Sequence, residues 1–259
     1  MISRIAIPEP TSTDVGYNQR SWSSYADAVS RSGGEPVKID LRLPSVEIQA
    51  VMQTCHGVCL TGSPADVDPD RYAAHIDPAT SAADLVREAV DIMLLEDAYK
   101  HRKPILAICF GMQFINVWRG GSLVQDLAPI PVNHAAGRKV AVAHTILIAE
   151  HSMLGQLLLE NAETRAEAPF TDGYLRLPIN TSHHQAISAP GEGLNIVARC
   201  PEDGVVEAIE GVAGDRESTD SAPFFVLGVQ WHPERSYDIS ATSRAMFARL
   251  IQQASMVTL

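Results

Sequence analysis

The chain has 259 residues, of which 46% are hydrophobic and 20% are charged, which is the composition of a globular protein and not of a disordered or fibrous one. Its formal net charge of −11 disfavours binding to nucleic-acid phosphates, and no apolar stretch has the length of a membrane span. We therefore expect a single α/β domain over residues 1–259, with neither nucleic acid nor membrane as a partner.

The cysteines and the N-terminal segment indicate a reducing environment. The four cysteines do not form the framework of a small disulfide-rich protein, and Met1–Pro8 lacks the pattern of a signal peptide. Cys55 and Cys59 are closely spaced, but no second Cys/His pair follows them at a zinc-binding spacing. We expect a cytoplasmic protein without a metal or another cofactor.

The first part of the chain alternates predicted strands and helices. In order, these are a strand Ile5–Pro8, a polar loop through Arg20, a helix Trp22–Arg31, a strand Pro36–Asp40, a helix Val46–Gln53, a strand Gly57–Thr61 and a helix from a Ser81 cap to about His101. This alternation is typical of βαβ units and a parallel sheet. On the last of these helices, Asp84, Glu88 and Asp91 form an acidic side that we expect to be solvated.

The stretch Lys103–Gly121 predicts a strand, a sharp turn and a helix. Ile105–Ile108 has the length and composition of a buried parallel strand, and helical spacing follows until Gly120-Gly121. Cys109 therefore lies at the carboxyl end of a strand, where such sheets bind ligands, and at a helix N-terminus, which favours the nucleophilic thiolate. The alternative for Cys109 alone is a buried packing residue.

The second half of the chain has a different pattern. The predicted elements are one or two strands in Val140–Ile148, a helix Met153–Glu160 capped by Ser152, a strand Tyr174–Leu177, strands Leu194–Arg199, Val205–Ile209 and Phe224–Val229, a polar loop Ala213–Ala222, and a helix Ser240–Ser255. Asp203-Gly204 indicates a hairpin between two of these strands. We expect a central, mostly parallel sheet with additional antiparallel hairpin strands in the C-terminal half.

A histidine and a carboxylate follow the last predicted strand, in Trp231-His232-Pro233-Glu234. In extended chain, residues i and i+2 point to the same side, so Glu234 can reach the ring of His232. A cysteine nucleophile needs a base for its own proton and an acid for the leaving amine, and one histidine oriented by a carboxylate does both. Cys109, His232 and Glu234 are therefore a candidate catalytic triad.

These residues carry a resemblance to a known family. Residues 105–113 (ILAICFGMQ) and 228–234 (GVQWHPE) resemble the class I glutamine amidotransferase-like superfamily. Residues 60–72, 120–126 and 182–187 more narrowly resemble γ-glutamyl-γ-aminobutyrate hydrolases, its peptidase-like branch. The resemblance implies a flavodoxin-like three-layer fold. It also implies hydrolysis of a small γ-glutamyl compound through a thioester on the cysteine, with the histidine as base and acid.

The resemblance further implies an oxyanion hole. Its donors are the backbone N–H of Phe110 and one N–H in the Gly62-Ser63 turn. Phe110 stands where the branch commonly has Arg, and Ser63 where it usually has a second Gly. The backbone donor at Phe110 is retained but a charge beside the thiol is lost, so this departure concerns the choice of substrate more than the chemistry. Ser63 weakens the match to a Gly-Gly turn, in which one Gly remains.

A substrate pocket is implied at four further positions, namely Gln113, Ser182, His183 and His184. Neighbouring residues in extended chain face opposite ways, so we expect at most one of the two histidines to meet the substrate. The leaving amine is expected to contact the loops Tyr17–Trp22, Asp66–Asp77 and Phe170–Leu177.

Two other functions remain open at this stage. The first is a glutaminase subunit that delivers ammonia to a separate synthetase. The second is a non-catalytic protein that binds a glutamyl ligand or a partner protein, for which the phenylalanine beside the cysteine is the motivation. The oligomeric state is also open, with a homodimer as one option.

Overall fold

A mixed ten-stranded sheet forms the centre of the computed structural model, which describes residues 2–73, 75–127, 131–212 and 225–259. The strands are β1 (Arg4–Pro8), β2 (Glu35–Ile39), β3 (Gly57–Leu60), β4 (Ile105–Ile108), β5 (Ser122–Val124), β6 (His144–Ala149), β7 (Phe170–Thr171), β8 (Tyr174–Ile179), β9 (Ala186–Ala189), β10 (Leu194–Arg199), β11 (Val206–Gly211) and β12 (Val226–Val229). The helices are α1 (Val15–Arg31), α2 (Ser45–Met52), α3 (Leu85–His101), α4 (Phe110–Trp118), α5 (Met153–Leu159), α6 (Ala162–Glu167) and α7 (Ala241–Ala254).

The sheet has a parallel half and an antiparallel half. Its strand order is β2-β1-β3-β4-β12-β11-β10-β6-β8-β7, in which the first five strands are parallel and the others pair antiparallel. The parallel part has the flavodoxin-like order 2-1-3-4-5, with β12 in the fifth position. Both the predicted fold and the added antiparallel strands, including the β10–β11 hairpin, are confirmed.

Helices cover both faces of the sheet. On β1, Ile5 and Ile7 pack into the same buried cluster as residues of α1 and α7, whereas Ala6 packs with residues of α2, α3 and α4. Such alternation is what a strand buried on both faces requires, because successive side chains point to opposite sides. The result is the expected three-layer arrangement.

Helix α1 begins earlier than the sequence indicates. It starts at Val15 and not at Trp22, because the Asp14 side chain accepts a hydrogen bond from the Tyr17 amide and caps the first turn. The predicted polar loop through Arg20 is thus largely helical. This change brings Tyr17 onto a rigid element.

The prediction of a solvated acidic side on α3 is wrong. Asp84 caps the helix through the Arg87 amide, and Glu88 and Asp91 have no exposed side-chain surface. Arg87, itself fully buried, lies 2.9 Å from Asp91, and Arg71 pairs with Glu88. Buried charges of this kind occur where they are paired, and helical periodicity alone does not reveal the partners.

The predicted loop Ala213–Ala222 and the first residue of the predicted strand Phe224–Val229 lie outside the described residues. No helix in the described ranges is both long and apolar enough to cross a lipid bilayer.

Candidate active site

Cys109 occupies a strained turn between β4 and α4. Its φ of 53° and ψ of −107° lie outside the regions that L-residues ordinarily adopt, and its amide donates to the carbonyl of Val229 at 2.8 Å. Gly111 lets the turn pack closely, since a Cβ there would lie 2.7 Å from Leu60 Cβ. Strain of this kind persists only where the surroundings impose it, as at a nucleophile elbow.

A second close contact fixes α4 on the sheet. A Cβ at Gly228 of β12 would lie 2.7 Å from Cγ of Met112. The glycine therefore allows the helix to approach the strand that leads to the histidine segment. The cysteine and histidine segments are thereby held at the carboxyl ends of two adjacent parallel strands, β4 and β12.

His232 is buried, and hydrogen bonds fix both its side chain and its backbone. Its Nδ1 lies 2.8 Å from Oε1 of Glu234, and its backbone N–H and C=O both bond the side-chain amide of Asn180 at 2.9 Å. The Nε2 atom has no hydrogen-bond partner among the described residues. Asn180 was not predicted, and no local motif marks it, because it comes from the end of β8.

Cys109 and His232 share one space beside Gly62. A Cβ at Gly62 would lie 2.9 Å from His232 Cε1 and 3.6 Å from Cys109 Cβ. The thiol-bearing residue and the imidazole are therefore both adjacent to the same small region. The tertiary structure thus brings together the predicted nucleophile, the histidine and, through its hydrogen bond to the histidine, Glu234.

The predicted oxyanion donors lie around the sulfur. The Gly62 amide already donates to the hydroxyl of Tyr25 at 3.0 Å. Ser63 and Phe110 both line the cleft, and the Phe110 amide hydrogen-bonds the Cys109 sulfur. Within the predicted set, the Gly62 amide is therefore already occupied by Tyr25, whereas Ser63 and Phe110 line the cleft.

The expectation of a resting thiolate is contradicted. Burial raises the pKa of the Cys109 thiol to about 12, and this effect outweighs the lowering influence of Arg235 and the Phe110 amide. Burial also lowers the pKa of His232, although the carboxylate of Glu234 opposes the shift. Burial would raise the pKa of Glu234, but its interaction with His232 outweighs burial and the pKa is lowered. Both shifts favour a neutral thiol beside a neutral imidazole.

The cleft has a volume of about 210 Å³. It is lined by Tyr17, Ser63, Pro64, Ala65, Asp66, Ser81, Cys109, Phe110, Gln113, Ser182, His183, His184, Gln185, His232 and Arg235. All four positions predicted for substrate binding are among them, as are Tyr17 and Asp66 from the loops expected near the leaving amine. The expectation for Phe170–Leu177 is wrong, since none of these residues lines the cleft.

The two adjacent histidines both line the cleft, but in different ways. His183 is buried and its Nδ1 bonds the Gln185 carbonyl at 2.9 Å. His184 is partly exposed and lies between Asp66, at 3.0 Å, and Asp126, at 3.2 Å. Residues 180–185 are irregular and not a strand, so the alternation that predicted a single cleft-facing histidine does not apply.

Gln230 connects the cysteine to the wall of the cleft. Its Nε2 lies 3.4 Å from Cys109 Sγ, and its Oε1 accepts from Gln113 Nε2 at 3.1 Å. The Gln113 amide also donates to the Gln185 carbonyl. Sequence reasoning assigned no role to Gln230; its position two residues before the histidine on the same side of extended chain was the available signal.

The ring of Phe110 is directed into the core. It is 1% exposed, stacks on Phe114 with ring centroids 5.8 Å apart, and has the Arg87 guanidinium 5.1 Å from its centroid. A cation already faces this ring from α3. The side chain at position 110 therefore has a packing role in addition to the backbone donor beside it.

Comparison with known proteins gives matches over most of the chain. The model of the family described as peptidase C26 matches residues 10–234. The γ-glutamyl-γ-aminobutyrate hydrolase of Escherichia coli K12 is 30% identical over 243 residues, covering 90% of this chain and 85% of the relative. Protein NtpR of Enterococcus hirae is 30% identical over 235 residues, covering 88% of this chain and 87% of that protein.

The fold is also that of a solved glutaminase domain. The glutaminase domain of Trypanosoma brucei CTPS, determined with bound acivicin, superposes with a TM-score of 0.57 at 14% identity, covering 99% of this chain and 95% of that domain. At this identity the likeness concerns the fold. Together with the family match over residues 10–234, the conclusion is that the chain belongs to the peptidase C26 family, which is class I glutamine amidotransferase-like.

Proposed function

We propose that this protein is a cysteine-dependent hydrolase of γ-glutamyl amides in small molecules. The observation that carries the proposal is the state of His232. Its Nδ1 is committed to Glu234, while its Nε2 is buried, unpartnered among the described residues, and in the same cleft as the Cys109 sulfur. A neutral imidazole held in this tautomer has a free lone pair for a proton.

In the first half of the reaction, His232 acts as the base. It takes the proton of Cys109 Sγ as the sulfur attacks the γ-carbonyl carbon, and the carbonyl oxygen becomes an oxyanion that the Phe110 and Ser63 amides stabilise. The imidazolium, stabilised by Glu234, then gives that proton to the leaving nitrogen. The C–N bond breaks, the amine departs and a γ-glutamyl thioester remains.

In the second half, water replaces the amine. His232 removes a proton from the water, the hydroxide oxygen attacks the thioester carbon, and the C–S bond breaks. The sulfur recovers its proton from the imidazolium. Glutamate is released and the neutral thiol–imidazole pair is restored, so one water is consumed for each amide.

Two opposite charges on the cleft wall suit a glutamyl group. Asp66 and Arg235 both line the cleft, and Asp66 is buried beside His184. An amino-acid head group carries one ammonium and one carboxylate, and a carboxylate and a guanidinium are their complements. The proposal assigns the ammonium to Asp66 and the carboxylate to Arg235. The named relatives that act on γ-glutamyl-γ-aminobutyrate support the same substrate class.

The test is a substrate screen with a matched pair of variants. Purified protein under reducing conditions is given γ-glutamyl amines, γ-glutamyl dipeptides and free glutamine, with products followed by mass spectrometry. Wild type is expected to release glutamate and amine without a partner protein. Cys109→Ala is expected to lose activity by roughly 10³-fold or more, while Cys55→Ala, whose buried cysteine lies before β3 and outside the cleft, retains it.

Three outcomes contradict the proposal. If none of the compounds is hydrolysed, the result would favour a protein that binds glutamyl ligands without turnover. Hydrolysis of free glutamine that appears only with a co-purified synthetase would favour the ammonia-delivering subunit. Activity retained in Cys109→Ala would remove the thioester mechanism. A covalent adduct at this cysteine with a glutamine-like electrophile would count against the non-catalytic alternative.

A further inference from the structure

A second cluster of titratable groups lies behind the wall of the cleft. The carboxylate of Glu207 on β11 is fully buried, and three histidines surround it. Its Oε1 lies 3.2 Å from His134 Nδ1, 3.1 Å from His144 Nε2 and 3.7 Å from His183 Nε2. None of these residues takes part in the proton transfers of the proposed hydrolysis.

The outer nitrogens of two of the rings are already bonded. His134 Nε2 lies 2.9 Å from Asp203 Oδ2, and His183 Nδ1 lies 2.9 Å from the Gln185 carbonyl. A carbonyl oxygen only accepts, so Nδ1 of His183 carries a proton, and in the neutral ring its Nε2 presents a lone pair to Glu207. Histidines that bind metals are held in this way, with the outer N–H donated to a carboxylate or a carbonyl.

In the described part of the chain, the ring nitrogens of His134 and His183 that face Glu207 lack hydrogen-bond partners, as does one oxygen of Glu207 itself. Among the described residues, His134 Nδ1, His183 Nε2 and Glu207 Oε2 are all buried and unpartnered. Burial lowers the pKa of His134, but the neighbouring carboxylates of Glu207 and Asp203 outweigh burial and the pKa is raised, so a proton on each ring nitrogen would join the two carboxylates. That arrangement still leaves a lone pair of His183 facing a carboxylate. A cation between the carboxylate of Glu207 and the facing nitrogens of His134 and His183 would satisfy both ring nitrogens.

Two of the separations are close to those of a metal site. With bonds near 2.1 Å, two ligand atoms of a tetrahedral zinc ion are about 3.4 Å apart. The separations of 3.2 and 3.7 Å from Glu207 Oε1 are close to this value, and the ligand atoms of His134, His183 and Glu207 all lie within 4.8 Å of one another.

We propose that His134, His183 and Glu207 bind a divalent transition-metal ion, with Zn²⁺ as the ion that two imidazoles and a carboxylate suit best. His144 hydrogen-bonds Glu207 and Asp203 hydrogen-bonds His134, so both orient ligands. Cys200 also lies near His134 and His144, but its thiol donates to Glu202, which leaves the sulfur less suited as a ligand.

An ion at this cluster would stabilise the wall of the cleft. His183 belongs both to the cluster and to the lining of the cleft, whereas His134 and Glu207 come from a loop and from β11. A shared ion would tie three separate segments together.

The first experiment measures zinc binding in the Cys109→Ala variant, so that the active-site thiol cannot bind the metal. Protein stripped with a chelator is titrated with Zn²⁺ by calorimetry. One equivalent is expected to bind, and the Tm is expected to rise by about 5–10 °C when free Zn²⁺ is 100 times Kd. X-ray absorption of the loaded protein is expected to show two imidazole ligands and no sulfur ligand.

Matched variants locate the site. Glu207→Gln and His134→Ala are expected to weaken zinc binding by at least tenfold, since each removes a ligand atom. His56→Ala removes a buried histidine elsewhere, bonded to the Arg4 amide, and is expected to bind zinc as the parent does. Circular dichroism reports whether each variant folds.

Three results would overturn the proposal. The first is the absence of stoichiometric binding to the folded Cys109→Ala protein. The second is sulfur in the absorption spectrum of the bound ion. The third is zinc affinity unchanged in folded Glu207→Gln and His134→Ala. If those variants do not fold, the first two measurements decide the question. None of these readouts depends on hydrolase activity, so failure of the proposed function and failure of the metal site are distinguishable.

Discussion

The side-chain amide of Gln230 donates to the sulfur of Cys109 across 3.4 Å and accepts from Gln113 at 3.1 Å. One amide thus joins the sulfur at the strained turn to a residue of the following helix. Since the same hydrogen-bond chain continues to the Gln185 carbonyl, the position of the sulfur depends on the wall of the cleft.

Replacing Gln230 tests this connection. Gln230→Met keeps the volume but removes both hydrogen bonds and leaves a Gln113 N–H without one of its acceptors. We expect kcat to fall by about tenfold, the effect of one buried hydrogen bond of about 1.4 kcal/mol. Steady-state kinetics on the best γ-glutamyl substrate measure the change. Gln156→Met, on α5, is the control, and equal kcat in both variants would contradict a positioning role for Gln230.

A substitution at Gly62 tests whether Cys109 and His232 lie close together. Gly62→Ala would place a Cβ 2.9 Å from His232 Cε1 and 3.2 Å from Tyr25 Oη, so the imidazole must move away from the cysteine. We expect kcat to fall by about tenfold or more, because small misplacements of a base are costly. In Gly16→Ala the new methyl meets only side-chain atoms near the start of α1. Full activity in both variants would contradict the geometry of the site.

The pH dependence follows from the neutral resting pair. His232 must be neutral to accept a proton, and since burial lowers its pKa below the usual 6.5, activity falls only when the pH drops below that lowered pKa. We expect the acid limb of kcat/KM to have its midpoint below pH 6.5. A profile whose acid midpoint lies above pH 6.5 would be inconsistent with this assignment.

The rate of alkylation tests whether the Cys109 thiol is protonated. Burial raises the pKa of Cys109 to about 12, so little thiolate is present at pH 7 and alkylation by iodoacetamide is expected to be slow and to accelerate throughout the range up to pH 10. Mass spectrometry after timed quenching follows adduct formation at this residue. Fast alkylation that is already independent of pH at 7 would indicate a resting thiolate–imidazolium pair instead.

Phe110 is expected to affect stability more than substrate choice. Its ring is 1% exposed and lies between Phe114 and the Arg87 guanidinium, so Phe110→Ala should lower the free energy of unfolding by about 3–5 kcal/mol. Phe110→Leu should cost less than Phe110→Ala, because it leaves a smaller cavity, and should keep the order of preference among leaving amines. Urea unfolding and the substrate screen measure these effects. A reordered preference in Phe110→Leu would show that the ring contacts the leaving group.

The sequence determined those parts of the molecule that depend on local spacing. The strand–turn–helix around Cys109 follows from periodicities of 3.6 and 2, which hold wherever the chain folds into a helix or an extended segment. The predicted contact between His232 and Glu234 is present, but it forms through a 3₁₀ turn over Pro233–Arg235 and not through extended chain. The alternation of strands and helices likewise indicated the parallel half of the sheet before the hairpin strands.

Tertiary structure decided the features that depend on residues distant in the chain. Burial raises the pKa of the Cys109 thiol, and residues distant in the chain create the cleft in which it lies. The acidic residues of α3 were expected in solvent because Arg87 and Arg71 could not be assigned as their partners. His134, His183 and Glu207 form no motif, since they come from two irregular segments and a strand, and only the folding of the antiparallel half brings their unpartnered atoms together.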